Sequence, residues 1–301
     1  MAVKFTKPEI NVREKLAELD KPSGIAGEAM LRAETPQEQF NLIGAGRRNL
    51  LINGGFDVWQ RGTSFTPANT YGYSADRARL SSGQTVNITK ESATLEGNVV
   101  NTLKHAIVSP TAGSNTRYDQ RIEEFDYFKN KTFTLSFWIK SSRTHPLNSS
   151  MIFFGGGGVN TINFYDDYGL GDVTPTWTKK VITFSVGDLS TATGTYADMV
   201  IGISSDGASI DIEYAQVQLE VGKVATPFEH RSYGEELALC ERYYQRFDAD
   251  GQDYTNIGIA VGTTAGGSTK WYVPISLPGG RMRTDPTVSF SAASDFRCTL
   301  Q

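Results

Sequence analysis

The 301-residue sequence has little of what many enzymes and nucleic-acid-binding proteins require. Its two cysteines, Cys240 and Cys298, form no CxxC or Cys/His metal pattern. The formal net charge of −4 excludes the strong basic field that attracts nucleic acid or an anionic membrane. No run of about eighteen apolar residues is present, so no transmembrane helix is predicted. We therefore expect reduced cysteines, no nucleic-acid partner and no membrane insertion.

The N-terminus has no apolar segment of the kind that directs secretion, since Met1-Ala2-Val3-Lys4 leads into a polar stretch. We therefore expect synthesis and assembly in the cytoplasm of a cell. Any role outside that cell is then reached through assembly and release.

Strand signals dominate the middle of the chain. Aromatic residues make up 11% of the sequence beside 30 glycines, a composition that suits short strands and tight turns. Apolar and polar residues alternate over 133–140 and 179–186, as in half-buried strands. The alternation over 210–221 shifts phase by one residue, which predicts a β-bulge. Further strands are expected at 75–80, 84–91, 99–107, 118–125, 159–165 and 197–204.

The stretch RNLLINGGFDVWQRG, residues 48–62, is expected to open this β-region as a pair of short strands. Residues 50–52 are apolar, Asn53-Gly54-Gly55 is typical of a turn, and alternation follows over 56–61. No helix pattern interrupts the predicted strands. Residues 49–232 are therefore predicted to form a jelly-roll β-sandwich, and the fold class is mainly β.

Residues 1–48 form a polar arm in which short amphipathic helices are predicted. So little apolar surface cannot form a core by itself, and we expect the arm to dock on another protein. The residues expected at that contact are Val12, Leu16, Leu19, Phe40 and Ile43.

Two further regions follow the predicted sandwich. Residues 233–246 are predicted to form a connecting helix, because Ser232 and Glu235 have the spacing of a capping box. Residues 247–301 form a small β-patterned region. About fifty residues are too few for an independent sandwich. We expect either that partner chains complete this region or that the chain continues.

Four regions carry a family resemblance. They are PEINVREKLAELDKPSGIAGEAMLRAETPQEQFNLIGAGRRN, NLLINGGFDVWQRGTSF with YSADRARL, AQVQLEVGKVATPFEHRSYGEELALCERYYQR, and LPGGRMRTDPTVSFSAASDF. Together they resemble bacteriophage tail-fibre and virion appendage proteins, whose jelly-roll sandwich is distantly similar to carbohydrate-binding modules. The resemblance implies a structural protein of the virion tail. Such a protein docks through residues 1–48 on tail or adaptor subunits and projects its sandwich for host attachment and receptor binding.

A homotrimer is expected, because the arm and the incomplete C-terminal region both need partner surface, which symmetric assembly supplies. Two functional classes stay open. One is a tail fibre, or a head-fibre or adaptor subunit without a receptor role. The other is a module that binds host surface glycan.

The sequence offers no constellation of residues for catalysis. Glycoside hydrolysis needs two carboxylates that flank one cleft. Neighbouring strand residues point to opposite faces, which argues against the doublets Glu123-Glu124 and Asp166-Asp167. His105, His145 and His230 are far apart in the sequence and match no metal or nucleophile motif. We therefore expect no enzymatic activity.

A glycan site would use aromatic rings as stacking platforms beside hydrogen-bonding groups. The candidates are Trp138, Tyr165, Tyr168 and Trp177, of which Trp138 is the outward residue of its strand. The alternative is that Tyr165 and Trp177 fill the core, as most aromatic residues do.

Jelly-roll carbohydrate modules often hold a structural calcium ion. The resemblance to them implies that Asp57, together with Asp211 or Glu213, supplies oxygen ligands to such an ion. No other cofactor is expected.

Overall fold

The computed structural model describes residues 48–68, 71–123, 125–155, 158–164, 170–189, 194–246, 261–265, 268–272, 282–285 and 287–288. The predicted contact residues of the arm (Val12, Leu16, Leu19, Phe40 and Ile43) and the candidates Tyr165 and Tyr168 lie outside this set. No helix in the described part of the chain is long and apolar enough to cross a bilayer.

The described elements are mostly strands. They are β1 (Ser64–Ala68), β2 (Tyr71–Tyr73), β3 (Arg79–Ser82), β4 (Thr85–Leu95), β5 (Asn98–Ser109), β6 (Asn115–Ile122), β7 (Thr132–Ser141), β8 (His145–Pro146), β9 (Asn148–Gly155), β10 (Gly158–Phe164), β11 (Asp172–Val173), β12 (Thr178–Ser185), β13 (Gly194–Ser204) and β14 (Ile210–Val221). A 3₁₀ turn spans Phe125–Phe128, helix α1 spans Tyr233–Glu241, and β15 (Val261–Ala265) forms a hairpin with β16 (Ser268–Tyr272).

Two antiparallel six-stranded sheets form a sandwich. Sheet A has the order β1-β4-β5-β14-β7-β12, and sheet B has the order β10-β9-β13-β6-β3-β2. The chain passes from one sheet to the other after β1, β3, β5, β6, β7, β10, β12 and β13, as in a jelly roll. The predicted mainly β jelly-roll sandwich is confirmed.

The core lies between the two sheets and follows from strand alternation. Along β7, one face is fully buried and packs against inward residues of both sheets. The predicted strand at this place is confirmed. The inward residues of β7 are Phe133, Leu135, Phe137 and Ile139.

Strand β14 contains the predicted β-bulge. Its register with β7 shifts between Ala215 and Gln218, and Gln216 has a positive φ of 49°. The bulge lets Val217 donate its N–H to the carbonyl oxygen of Gly54 at 2.9 Å. Residues 48–62, which we call the opening stretch, therefore pack directly on the bulge.

The predicted strand pair of that opening stretch is wrong. Residues 48–63 contain no strand, and Asn53 adopts a positive φ of 59°. The reason is the side chain of Asn53, which takes the place of a partner strand. Its Oδ1 accepts hydrogen bonds from the N–H groups of Asp57 (2.8 Å) and Val58 (3.0 Å), and its Nδ2 donates to the carbonyls of Val58 and Asp76, both at 2.8 Å.

The strand predicted at 75–80 begins later than expected. Ala78 accepts a hydrogen bond from the N–H of Ser74 at 3.0 Å, and Arg77 has a positive φ of 69°, so residues 74–78 form a turn. Strand β3 begins only at Arg79.

Helix α1 begins with the predicted capping box. The Ser232 side chain accepts the N–H of Glu235, and the Glu235 carboxylate accepts the N–H of Ser232 at 3.0 Å. The buried Cys240 then packs against Ile52 and Val58 of the opening stretch. The helix thus closes over a second, smaller apolar cluster.

The segment that enters the sandwich is bonded to the segment that leaves it. The N–H of Asn49 donates to Glu229 at 2.6 Å, and Arg231 donates to the carbonyl oxygen of Asn49 at 2.6 Å. Glu236 in α1 accepts the backbone N–H of Asn53 and also pairs with Arg231 at 3.2 Å. We call these five residues the clasp.

Candidate functional site

The outer face of sheet A, the side away from the core, has a covered half. There the segment after β14 lies on the outward residues of β7 and β14. Thr226 donates its hydroxyl to Glu220 at 2.7 Å, and Thr134 donates to the carbonyl oxygen of Gly222 at 2.8 Å. This half is closed, since Thr134, Gln218 and Glu220 are at most 1% exposed.

The other half of this face carries the tryptophans. Trp138 and Trp177 are partly buried and pack against a satellite cluster on the outer face, separate from the main core. The cluster consists of Leu95, Val100 and Ala215, with Ala93 at its margin. The indole N–H of Trp138 is buried and has no hydrogen-bond partner among the described residues. Trp177 therefore lies outside the sandwich core, unlike the alternative considered from the sequence.

Two lysines stand beside the two indole rings. The register of β7 with β12 places Lys179 opposite Trp138. The next outward pair along these strands is Lys140 with Trp177, and the Lys140 ammonium lies 5.3 Å from the Trp177 ring centroid. We call Trp138, Lys140, Trp177 and Lys179 the tryptophan–lysine face.

Carboxylates compensate part of this positive charge. Lys140 pairs with Glu213 at 3.0 Å, and Lys104 pairs with Asp211 at 2.8 Å on the neighbouring strands. The hydrogen bond with Asp211 raises the pKa of Lys104. Lys179 is exposed, and no described carboxylate pairs with it.

These carboxylates do not fit the calcium site that the resemblance implies. Asp211 and Glu213 are each held by a lysine, and Asp57 accepts a hydrogen bond from Asn101 at 2.6 Å. Within the described ranges, no three His, Cys, Asp or Glu side chains are grouped as metal ligands. A calcium ion needs six to eight oxygen ligands around one point, and these residues do not supply them.

Sheet B holds a buried carboxylate pair on its outer side. Arg79 donates to Asp119 and, at 2.8 Å, to Asp198, while Arg121 donates to Asp198 at 2.9 Å. Burial raises the pKa of Asp119 to about 6, although Arg79 opposes the shift. A raised carboxyl pKa is a feature of glycosidase acids. Here both carboxylates are at most 2% exposed and bound to arginine, so a substrate has no access to them.

Only part of this site could be read from the sequence. Trp138 and Trp177 were candidates, and Lys140 could have been added, because it is the next outward residue of the same strand. Lys179 gave no signal, since its place beside Trp138 depends on the β7–β12 register.

No protein-family model matches the sequence, and no curated protein matches it either. Solved structures do match, among them three that are at most 19% identical to this chain. The enzymatically active domain of bacteriophage CBA120 tailspike protein 4 is 19% identical, with a TM-score of 0.38, over 58% of this chain and 21% of that one. This chain therefore spans about a fifth of the tailspike domain.

Two carbohydrate-binding modules are also similar. The CBM22-1 xylan-binding domain of Paenibacillus barcinonensis Xyn10C is 16% identical, with a TM-score of 0.36, over 60% of this chain and 100% of that one. A CBM4 structure is 14% identical, with a TM-score of 0.33, over 56% of this chain and 98% of that one. At such TM-scores these likenesses assign no ligand or activity to this chain.

Proposed function

We propose that this protein is a non-enzymatic subunit of a phage virion appendage and that its sandwich binds a glycan through the tryptophan–lysine face. The observation that carries the proposal is the pair Trp138 and Trp177, both partly exposed on the open half of a sheet face. Soluble proteins seldom leave two large aromatic rings beside each other at the surface without a ligand or partner for them.

The chemistry of this face suits a sugar. The apolar face of a pyranose ring stacks on an indole, and its hydroxyl groups need donors and acceptors at the rim. Lys140 and Glu213 supply one of each, 3.0 Å apart. Because these groups stand on paired strands, they are held in place before a ligand arrives, which reduces the ordering entropy lost on binding.

We expect Trp138→Ala to weaken glycan binding at least tenfold, since a stacked ring contributes on the order of 1–2 kcal/mol. The same change should lower the free energy of unfolding by only about 1–2 kcal/mol, because the ring is half-buried. The measurements are binding of the full chain to a glycan array and urea unfolding.

Tyr233→Ala is the matched control for this change. Tyr233 is 60% exposed at the start of α1 and lies outside the tryptophan–lysine face, so its removal should leave glycan binding unchanged. Equal loss of binding in both variants, or no binding by the wild type, contradicts the proposal. A wild-type protein that binds no glycan would instead favour a structural fibre or adaptor subunit without a receptor role.

The virion part of the proposal is supported by the sequence resemblance. In this proposal, the arm docks on a tail or adaptor subunit, three copies assemble, and the sandwich projects from the tail. The clasp is consistent with it, because the arm then joins the sandwich at a point fixed by Asn49, Glu229 and Arg231.

A truncated protein that begins at Arg48 is expected to fold as the wild type does but to be missing from virions. The arm offers little apolar surface for a core, so the sandwich should fold without it, while its predicted amphipathic helices can dock on a partner. The measurement is complementation of a deletion phage, followed by detection of the protein on purified particles. Incorporation of the truncated protein at the wild-type level would place attachment elsewhere.

A further inference from the structure

The tryptophan–lysine face has a chequered arrangement. Trp138 stands opposite Lys179, and Trp177 stands next to Lys140 across the same two strands. Outward residues that face each other on paired strands have Cβ atoms about 4.5–5.5 Å apart. A sugar ring stacked on Trp138 would therefore have Lys179 as its cross-strand neighbour, whereas the Lys140 ammonium lies over the Trp177 ring itself.

The two lysines differ in their charge balance. Lys140 is compensated by Glu213, and the nearby Lys104 is compensated by Asp211. Lys179 is exposed and has no carboxylate partner in the described part of the chain. The face thus carries one uncompensated positive charge, on the residue that the β7–β12 register pairs with Trp138.

Resting on the proposed glycan function, we propose that the ligand is an acidic glycan, whose carboxylate or phosphate group pairs with Lys179 while its sugar ring stacks on Trp138. A neutral sugar would leave this ammonium unused. An anionic substituent at the ring edge gains a charge-assisted hydrogen bond, which is stronger than a neutral one. The Lys140–Glu213 pair is left to bind hydroxyl groups.

Lys179 could instead serve only to protect the edge of the sheet, without binding a ligand. Strand β12 is at the edge of sheet A, and lysine on an edge strand discourages pairing with other chains. That role alone predicts that a variant without the ammonium aggregates while its preference among glycans stays the same.

The experiment uses the full chain and pairs of oligosaccharides that differ only in one acidic group. In the first pair, one member has a uronate where the other has the neutral hexose. In the second pair, one member has a sugar phosphate where the other has the dephosphorylated sugar, so the two sources of negative charge are tested separately. We expect the wild type to prefer the acidic member of at least one pair about tenfold, with the preference falling at high salt.

Lys179→Met should remove this preference, because it lowers the affinity for the acidic member more than the affinity for the neutral member. Glu213→Gln should increase the preference, because it frees a second ammonium, that of Lys140. Lys129→Met is the control, since Lys129 pairs with Asp126 next to the 3₁₀ turn, away from this face.

Equal affinity of the wild type for both members of each pair overturns the inference. A preference that survives in Lys179→Met overturns it too. In either case, loss of neutral glycan binding by Trp138→Ala would still leave the proposed function standing. If no oligosaccharide binds to the wild type, both the function and this inference fail.

Discussion

Gly54→Ala is expected to cost at least about 4 kcal/mol of folding free energy and to abolish folding at physiological temperature. A Cβ at this position would lie 2.1 Å from the carbonyl oxygen of Val217. That oxygen belongs to the backbone, so a side-chain rotation cannot relieve the clash. The loop cannot retreat either, because Val217 donates its N–H to the Gly54 carbonyl at 2.9 Å.

Gly187→Ala is the control for this prediction. An added Cβ at Gly187 has no atom within 4 Å, and its φ is not positive, so the change should be within about 0.5 kcal/mol of the wild type. Urea unfolding followed by circular dichroism measures both variants. If the two glycine variants have similar stability, the close packing of the opening stretch on the β14 bulge does not contribute to the folding free energy.

The second large effect is a loss of folding stability at low pH. His105 is fully buried between the sheets, and within the described chain neither of its ring nitrogens has a hydrogen-bond partner. Burial lowers its pKa from 6.5 to about 3. Between these two pKa values, the imidazole is therefore protonated in the unfolded chain and neutral in the folded chain. Stability is lost as the pH falls below 6.5, by roughly 1.4 kcal/mol per pH unit down to the folded pKa, or about 5 kcal/mol in all.

Asp119 acts in the opposite direction. Its folded pKa of about 6 exceeds the ordinary value of 3.8. Between these two pKa values, the carboxyl group is therefore protonated in the folded chain and ionised in the unfolded chain. Acidification from pH 6 to pH 4 therefore adds stability through Asp119, by about 2 kcal/mol. The two groups offset each other in the wild type over this range.

Single variants should separate the two contributions. We expect His105→Phe to become more stable, and Asp119→Asn less stable, between pH 6 and pH 4. The measurement is the urea midpoint at each pH, and the slope with pH is the readout because the absolute stabilities of the variants differ. Parallel slopes in both variants would show that neither buried group controls the acid response.

Alternation along the chain was enough to predict most strands of the sandwich, although not β1, β2 or β9, because side chains with period two must separate core from solvent. Thus β7 and the β14 bulge appear where the pattern places them. The opening stretch failed for a physical reason. Its alternation is real, but Asn53 satisfies four backbone groups at close range and makes strand pairing unnecessary.

The residues of the candidate site could likewise be predicted only in part. Trp138 could be identified because its own strand determines which face it occupies. The partners of Trp138 and Lys140 could not, since Lys179 and Glu213 come from other strands whose register is a property of the whole sheet.

The clasp has a mechanical consequence. In the proposed assembly, a load applied between the arm and α1 would run through Asn49, Glu229, Arg231, Asn53 and Glu236. Because both points of loading are joined at this junction, the strands beyond it lie outside the path of force. The tryptophan–lysine face would then keep its shape under strain, while the junction yields first.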